Sequence, residues 1–250
     1  MREGADVIVV GGGIIGCAVA RELASRGARV RLFEARTVAA GATQASAGIL
    51  APYIEGHERG PLFDLTLRSL AMYDGFIART LEESAVAVEY RRCGSLEIAA
   101  DDEAADAFRG AASTAGDELQ WLSTADACQL EPALPDSTCG ALFAPTHGYV
   151  AAASLTEALI WAALRHGAEL ETGRRVRAVE RQHDALVVIA DDGATWTAPH
   201  VVIASGSWAS QLEKLDPAAR VVRPVRGQLP QLAWTGPALS HTIWGKDCYV

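Results

Sequence analysis

Between Val7 and Ala20 the chain reads VIVVGGGIIGCAVA, an apolar run broken by four glycines. Gly11, Gly13 and Gly16 have G-x-G-x-x-G spacing. They follow a β-branched run, Asp6 to Val10, and open a helix-forming stretch, Gly13 to Arg26; a second apolar run, Arg29 to Glu34, ends on an acid. Two nearly all-apolar strands joined by a helix form a βαβ unit, with parallel strands covered on both faces. In that setting each glycine has a task. Gly11 permits the tight turn out of the strand, Gly13 lets a pyrophosphate approach the backbone without a Cβ in the way, and Gly16 allows close helix–strand packing. The free amides and positive dipole end of the helix then favour phosphate charge. Glu34, 23 residues beyond Gly11, stands where a carboxylate accepts ribose hydroxyls, and it argues against a bound 2′-phosphate. A βα turn with no ligand would be served by alanines at lower entropic cost.

Further along, a loop rich in glycine and alanine, GATQASAGILAP, runs from Gly41 to Pro52. Leu62, Leu65, Leu67, Leu70, Tyr73, Phe76 and Ile77 then recur near helical spacing and predict a long helix ending around Ser84. Between Val86 and Pro145 the pattern changes to short strands, GSLEIAA and CGALFAP, around two small helices starting near Asp101 and Ser123. From Ser154 the first style returns. Ser154 and Glu157 read as the capping box of a helix that runs to His166 and stops at Gly167. Strands are expected over Arg175 to Arg181 and Ala185 to Ala190, with a hairpin turn at DDG, and over HVVIASG from His200. VVRPVRGQLPQLAW and HTIWGKDCYV also read as sheet, so the chain stops at Val250 inside an apparent strand, with an edge for another segment to pair. The expected class is α/β: a Rossmann-like nucleotide-binding domain with a parallel sheet (1–85 and 146–212), interrupted by a second, antiparallel-sheet-rich domain (86–145 and 213–250).

Net charge is −9, from 22 basic and 31 acidic residues, so a nucleic-acid partner is disfavoured. The one dense basic cluster, Arg174, Arg175 and Arg177, reads as a solvated face. Five cysteines, with no C-x-x-C pair, suit reduced thiols in a cytoplasmic protein. His57, His147, His166, His183, His200 and His241 have no i, i+4 pairing; surface or loop positions are expected for them, and no metal site. The run from Val7 to Ala20 is shorter than the roughly 20 apolar residues a membrane span needs. Its flank, Met1 to Asp6, is not the basic region of a signal peptide. Cys17 reads as a small core residue and Trp208 as helix–sheet packing.

Five motifs in order, VVGGGIIG, FEA closing the second strand, GATQASAGILAP, HVVIASGSWAS and PVRGQ, resemble the D-amino-acid oxidase superfamily of FAD flavoproteins, most closely its glycine oxidases of thiamine biosynthesis. The resemblance runs from the N-terminus to the last residue. It makes the two expected domains FAD-binding and substrate-binding. It implies FAD contact at Ile14, Ile15, Glu34, Ala35, Ala42, Thr43, Ala47, Gly48 and Ile49, beside Gly11, Gly13 and Gly16. Val176 would offer its backbone to the adenine, or be a plain core valine; the ASG stretch ending at Gly206 would close the cofactor pocket; Thr43 has a loop cap as its alternative role. Members of the family pass a hydride from Cα to flavin N5, leaving an imine that water hydrolyses to an oxo acid and ammonia or an amine, and oxygen then yields hydrogen peroxide. The protein mainly binds and orients.

The substrate carboxylate calls for a cation, preferably an arginine fork. The resemblance places that arginine, and a second glycine-rich segment, in the stretch that would follow Val250. Within the chain it implies Tyr249 as a pocket residue and Ala51 as a loop position over the substrate. Arg226 is assigned either to the flavin-facing edge of the substrate domain or to a structural ion pair. Asp247 falls where glycine oxidases carry histidine, which leaves glycine, sarcosine and D-amino acids all open as substrates. The partner is then a small amino acid or amine, in a chain compatible with a homo-oligomer. Two other readings stay open: a nicotinamide-dependent dehydrogenase on the same fold, against which the GATQASAGIL loop counts, and a truncated, non-catalytic flavin-binding fragment.

Overall fold

A computed structural model describes residues 4–55, 60–135, 137–183, 185–213, 222–230, 233–246 and 248–250. In chain order its elements are β1 (Val7–Val10), α1 (Ile14–Ser25), β2 (Val30–Phe33), β3 (Ile49–Leu50), α2 (Pro52–Glu55), α3 (Pro61–Ser84), β4 (Tyr90–Arg91), β5 (Ser95–Ile98), α4 (Asp102–Ala115), β6 (Gln120–Leu122), α5 (Thr124–Leu130) and β7 (Ala141–Ala144). There follow β8 (Gly148–Val150), α6 (Ala152–Arg165), β9 (Glu169–Glu171), β10 (Val176–Gln182), β11 (Ala185–Ala190), β12 (Thr195–Ala198), β13 (His200–Ile203) and β14 (Thr242–Trp244). They fall into two compact units. Unit 1 comprises Met1–Ala47, Gly75–Glu89 and Ala151–Leu229; unit 2 comprises Gly48–Asp74, Tyr90–Val150 and Pro230–Val250.

Unit 1 is built on a parallel sheet of order β13-β1-β2-β9. All four residues of β1 and of β2 are buried, as parallel strands covered on both faces must be. Ile8, Val10 and Phe33 meet Val176, Val179, Val188 and Ala198 of the antiparallel sheet β10-β11-β12 in one core. The helical layer contains α1 and α6, whose packing needs small residues: Ala20, Ala158, Ala162 and Ala163 are fully buried. Arg21 of α1 is also buried; its guanidinium grips the Glu83 carboxylate of α3, with Nε 2.7 Å from Oε2, and His166 closes on the same carboxylate at 3.4 Å.

Unit 2 has two sheets, β14-β5-β7-β6 and β3-β8-β4. Pairing is antiparallel except for the edge pair β14–β5, which is parallel. Its two small helices start where sequence signals put them: the Asp101 carboxylate accepts from Ala104 N–H at 2.9 Å, and Ser123 Oγ from Asp126 N–H at 3.3 Å.

Several expectations need correction. Ser154 does not cap α6. The helix begins at Ala152 after Ala151, and Ser154 Oγ instead donates to Ala151 O at 3.0 Å, because the alanines preceding it are strong helix formers and take the first turn. No strand occurs in 222–230 or at 233–234; Pro224 and Pro230 cannot donate to a ladder, and the rest of VVRPVRGQLPQLAW, residues 221 and 231–232, lies outside the described residues. His147 and His241 lie in loops, one of the two expected placements, but His147 is fully buried and His241 nearly so; His57 lies outside the described residues. Trp208 is 45% exposed, with the Arg36 guanidinium over its ring at 5.6 Å. It belongs to a 3₁₀ turn, Gly206–Gln211, and its ring stands beside Gly41, 3.1 Å from where a Cβ there would lie. The arginine cluster is solvated but not unpaired: Arg174 reaches Asp192 at 2.7 Å, Arg175 reaches Asp191 at 3.7 Å, and Arg177 reaches Glu213 at 3.1 Å.

Candidate functional site

The four parallel strands of unit 1 end level, with Val10 beside both Phe33 and Ile203, and Phe33 beside Glu171. From β1 the chain passes through α1 to β2 on one side, while β13 pairs on the other. The carboxyl end of β1 is therefore a topological switch point, where open α/β sheets take their ligands. Gly11 sits there at φ +113° and donates its N–H to Phe33 O at 2.8 Å. A Cβ on Gly11 would lie 2.4 Å from Ala204 O, and one on Gly16 would lie 1.8 Å from Gly11 O. Gly13 differs. It precedes the first turn of α1 in ordinary extended backbone, and its absent Cβ would meet only Thr43 Oγ1, at 3.2 Å.

Glu34, at the end of β2, faces the turn. Oε2 accepts from Gly12 N–H and Oε1 from Arg36 N–H, both at 2.8 Å. Two main-chain donors thus hold the carboxylate, and its remaining lone pairs are available to hydroxyls. The main chain also joins Glu34 and Arg36 to the approach to β10, through Arg174 N–H to Glu34 O at 3.0 Å and Gly173 N–H to Arg36 O at 3.2 Å. Val176 follows at the start of β10, with its side chain buried in the core and a register shift just beyond it. Both roles weighed for it are sterically compatible, since core packing uses the side chain and adenine contact the backbone.

Of the loop residues, Thr43 is buried and its Oγ1 accepts from Ile14 N–H at 3.1 Å. A hydroxyl has one hydrogen and two lone pairs, so Thr43 can cap the helix and still donate to a phosphate oxygen. Ile14 and Ala47 are half-buried, while Ile15, Ala35 and Ala42 are exposed. Gly206 opens the 3₁₀ turn after β13. Ser205 before it, within the ASG stretch assigned to the cofactor pocket, has its Oγ buried with no hydrogen-bond partner among the described residues, and its Cα would be 3.0 Å from a Cβ on Gly11. Cys17 is buried, with its thiol pushed up to about 12 by burial and the Glu34 charge; it is an inert core group.

In unit 2, Ile49 and Ala51 line a cleft of about 640 Å³ with Pro52, Glu55, Phe63 and Tyr73. Gly48, just before, accepts at its carbonyl from Val150 N–H at 3.0 Å. Tyr249 is not among the residues lining that cleft. It lies against Trp244, ring centroids 4.7 Å apart, where the chain doubles back on β14, and is 36% exposed. Arg226 is exposed in the strandless segment, and Asp247 lies outside the described residues.

The cradle fits a dinucleotide: side chains are excluded by the backbone at Gly11 and Gly16, the Gly13 face is open, and an orphaned hydroxyl stands beside the turn. The protein-family model described as FAD dependent oxidoreductase (DAO) matches residues 6–248. The chain belongs to this family. Its cofactor is accordingly FAD, and the nicotinamide alternative is set aside. Among relatives of this FAD-dependent oxidoreductase, the glycine oxidase of Geobacillus kaustophilus is 34% identical, over 98% of this chain and 66% of the relative. That of Bacillus subtilis is 30% identical, over 100% and 67%. The bifunctional protein ThiO/ThiG of a Synechocystis species is 31% identical, over 96% of this chain and 35% of its own length. The crystal structure of the G. kaustophilus glycine oxidase superposes with a TM-score of 0.85 at 33% identity, covering 98% of this chain and 67% of that one. The chain therefore spans about two thirds of the length of the glycine oxidases it matches.

Proposed function

We propose that this chain is an FAD-dependent oxidase of the C–N bond of a small amino acid or amine, with glycine, sarcosine or a D-amino acid as substrate and oxygen as acceptor, yielding hydrogen peroxide. When bound, FAD supplies the two-electron acceptor that no side chain can replace. In unit 1 the amides at Gly13 and the start of α1, with the Thr43 hydroxyl, hold the diphosphate, and Glu34 takes the ribose. The contacts assigned at Ile14, Ile15, Ala35, Ala42, Ala47, Gly48, Ile49, Val176 and Gly206 complete the cofactor set. In unit 2, Tyr249 donates its hydroxyl to the substrate carboxylate and Ala51 borders the substrate.

The observation that carries this reading is the cradle of Gly11, Gly13 and Gly16 with Glu34 and Thr43 locked onto it, in a chain related to glycine oxidases along nearly its whole length. The names of the ThiO/ThiG relatives favour a place in thiamine biosynthesis. The test is anaerobic mixing of the FAD-loaded protein with glycine, sarcosine, D-alanine and D-proline. Bleaching of the flavin by at least one of them, and peroxide on admitting air, is expected. A protein whose flavin dithionite bleaches but none of the four amines does would overturn the reading.

A further inference from the structure

Glu131 ends α5 and is fully buried. One of its oxygens, Oε2, gathers three donors from residues more than a hundred positions away: Ser240 N–H at 2.8 Å, His241 N–H at 3.2 Å and His241 Nδ1 at 3.1 Å. The other, Oε1, is buried with no partner among the described residues. A carboxylate costs more to desolvate than almost any other side chain, and apolar packing would give equal or better stability. The best-attested use of such a group is to fix register.

A three-residue edge strand has few contacts to set its register. β14 has three residues, lies at the sheet edge, and pairs only with β5 on that sheet, Thr242 to Ser95 through Trp244 to Glu97. Slipping it by one residue would move it about 3.3 Å and turn each side chain to the opposite face. Thr242 would lose its buried place, and Ile243 its contact with the core of Leu96, Ala127, Leu134 and Ala141. The bonds from Ser240 and His241 to Glu131 sit immediately before Thr242 and forbid that slip. Beyond Trp244 the chain reverses: Gly245 N–H meets Cys248 O at 2.8 Å, and Ile243 and Val250 exchange both main-chain bonds at 2.8 and 2.9 Å. Whatever fixes β14 therefore fixes Tyr249 on Trp244.

We propose that Glu131 is a positioning residue: its buried carboxylate pins the root of the Thr242–Val250 hairpin and so sets where Tyr249 meets the substrate carboxylate. This rests on the assignment of Tyr249 above. The test uses the FAD-loaded protein and two readouts, the dissociation constant of acetate from its perturbation of the flavin spectrum, and kcat and KM for the best amine of the panel. Glu131→Ala should raise both the acetate constant and KM by about tenfold or more, as a displaced contact does, while FAD affinity and kcat stay near wild type. Glu131→Gln keeps an acceptor oxygen and should restore most of that loss. Because the residue acts through Tyr249, Glu131→Ala should add little in a Tyr249→Phe background, a non-additivity that general loosening would not produce.

Should Glu131→Ala fail to fold, His241→Ala removes one donor only and should shift the same two readouts in the same direction. Acetate binding unchanged in Glu131→Ala or its stand-in, a parallel loss of FAD affinity, or full additivity with Tyr249→Phe would overturn the proposal while leaving the oxidase reading intact. A wild-type protein that neither binds acetate nor is reduced by any amine would overturn both.

Discussion

Gly13→Ala separates a turn that merely packs from a turn that receives phosphate. The backbone at Gly13 has φ −76° and ψ 179°, which alanine adopts without strain, and the added methyl would meet a single atom, Thr43 Oγ1, at 3.2 Å. The fold should tolerate it. Loss of glycine at an N-cap costs a few tenths to about 1 kcal/mol, and reduced freedom of the unfolded chain offsets a similar amount, so apoprotein stability should change by less than about 1 kcal/mol. The ligand fares differently. A methyl on the open face holds a diphosphate oxygen out of reach of one main-chain N–H, and a hydrogen bond to a charged group is worth about 1.5–3 kcal/mol, or roughly a 10- to 150-fold weaker FAD. Gly16→Ala is the opposite case. Its methyl would fall 1.8 Å from Gly11 O, backbone against backbone, so α1 must move off β1, and apoprotein stability should fall by about 3 kcal/mol or more. Urea melts of the two apoproteins and FAD titrations followed by flavin fluorescence measure both quantities. If Gly13→Ala bound FAD within about threefold of wild type, under 1 kcal/mol, the diphosphate would not lie on Gly13 and the site as built would be wrong.

Thr43→Val removes both the acceptor for Ile14 N–H and the hydroxyl hydrogen; a lost cap costs about 1 kcal/mol of stability, FAD should weaken by about tenfold, and Thr43→Ser should restore both in the same melts and titrations. His147 makes stability depend on pH. Its Nε2 accepts Tyr53 N–H at 3.2 Å, and burial, with the Arg92 charge, pulls its pKa from the ordinary 6.5 down to about 4. Between those values the unfolded chain binds a proton the native one refuses, so stability is full above 6.5 and falls as pH drops through this window, by about 2 kcal/mol at pH 5. Urea melts at pH 7.5 and 5 should show that loss in wild type and much less of it in His147→Phe; equal slopes in the two proteins would discard the assignment.

The parallel core of unit 1 was legible because its strands are continuous apolar runs and its turn needs glycine for steric reasons; β1, α1 and β2 fall within a residue or two of the expected bounds. The same holds for α3, whose helical spacing stops at Ser84 as expected. The sheet β3-β8-β4 was not legible. Ile49–Leu50 and Tyr90–Arg91 have two residues each, too few for any alternation to register, and they are strands only because Tyr149 and its neighbours lie between them. The burial of His147 was not legible, because a loop position by itself says nothing of burial. What buries it is its place between β7 and β8, where Tyr53 of α2 stacks on the ring at 5.6 Å. The Thr43 cap on α1 joins residues 29 positions apart, beyond the reach of any local capping pattern.

This difference has a physical root. A diphosphate is bound chiefly by main-chain amides at a helix start, which every sequence has; the sequence need only clear side chains away, and glycine is the unmistakable way to do so. A substrate is selected by side chains, and each of those is placed by packing and hydrogen bonds between distant segments. Tyr249, proposed above to meet the substrate, illustrates the point: its surroundings are set by Trp244, the edge strand Thr242–Trp244 and a carboxylate 118 positions before it, at Glu131. The cofactor can therefore be read from one short motif, whereas the amine must be read from contacts that exist only after folding. Substitutions at Glu131 and Tyr249 should then weaken binding of the amino-acid carboxylate while leaving FAD in place, and those at Gly13 and Thr43 the reverse.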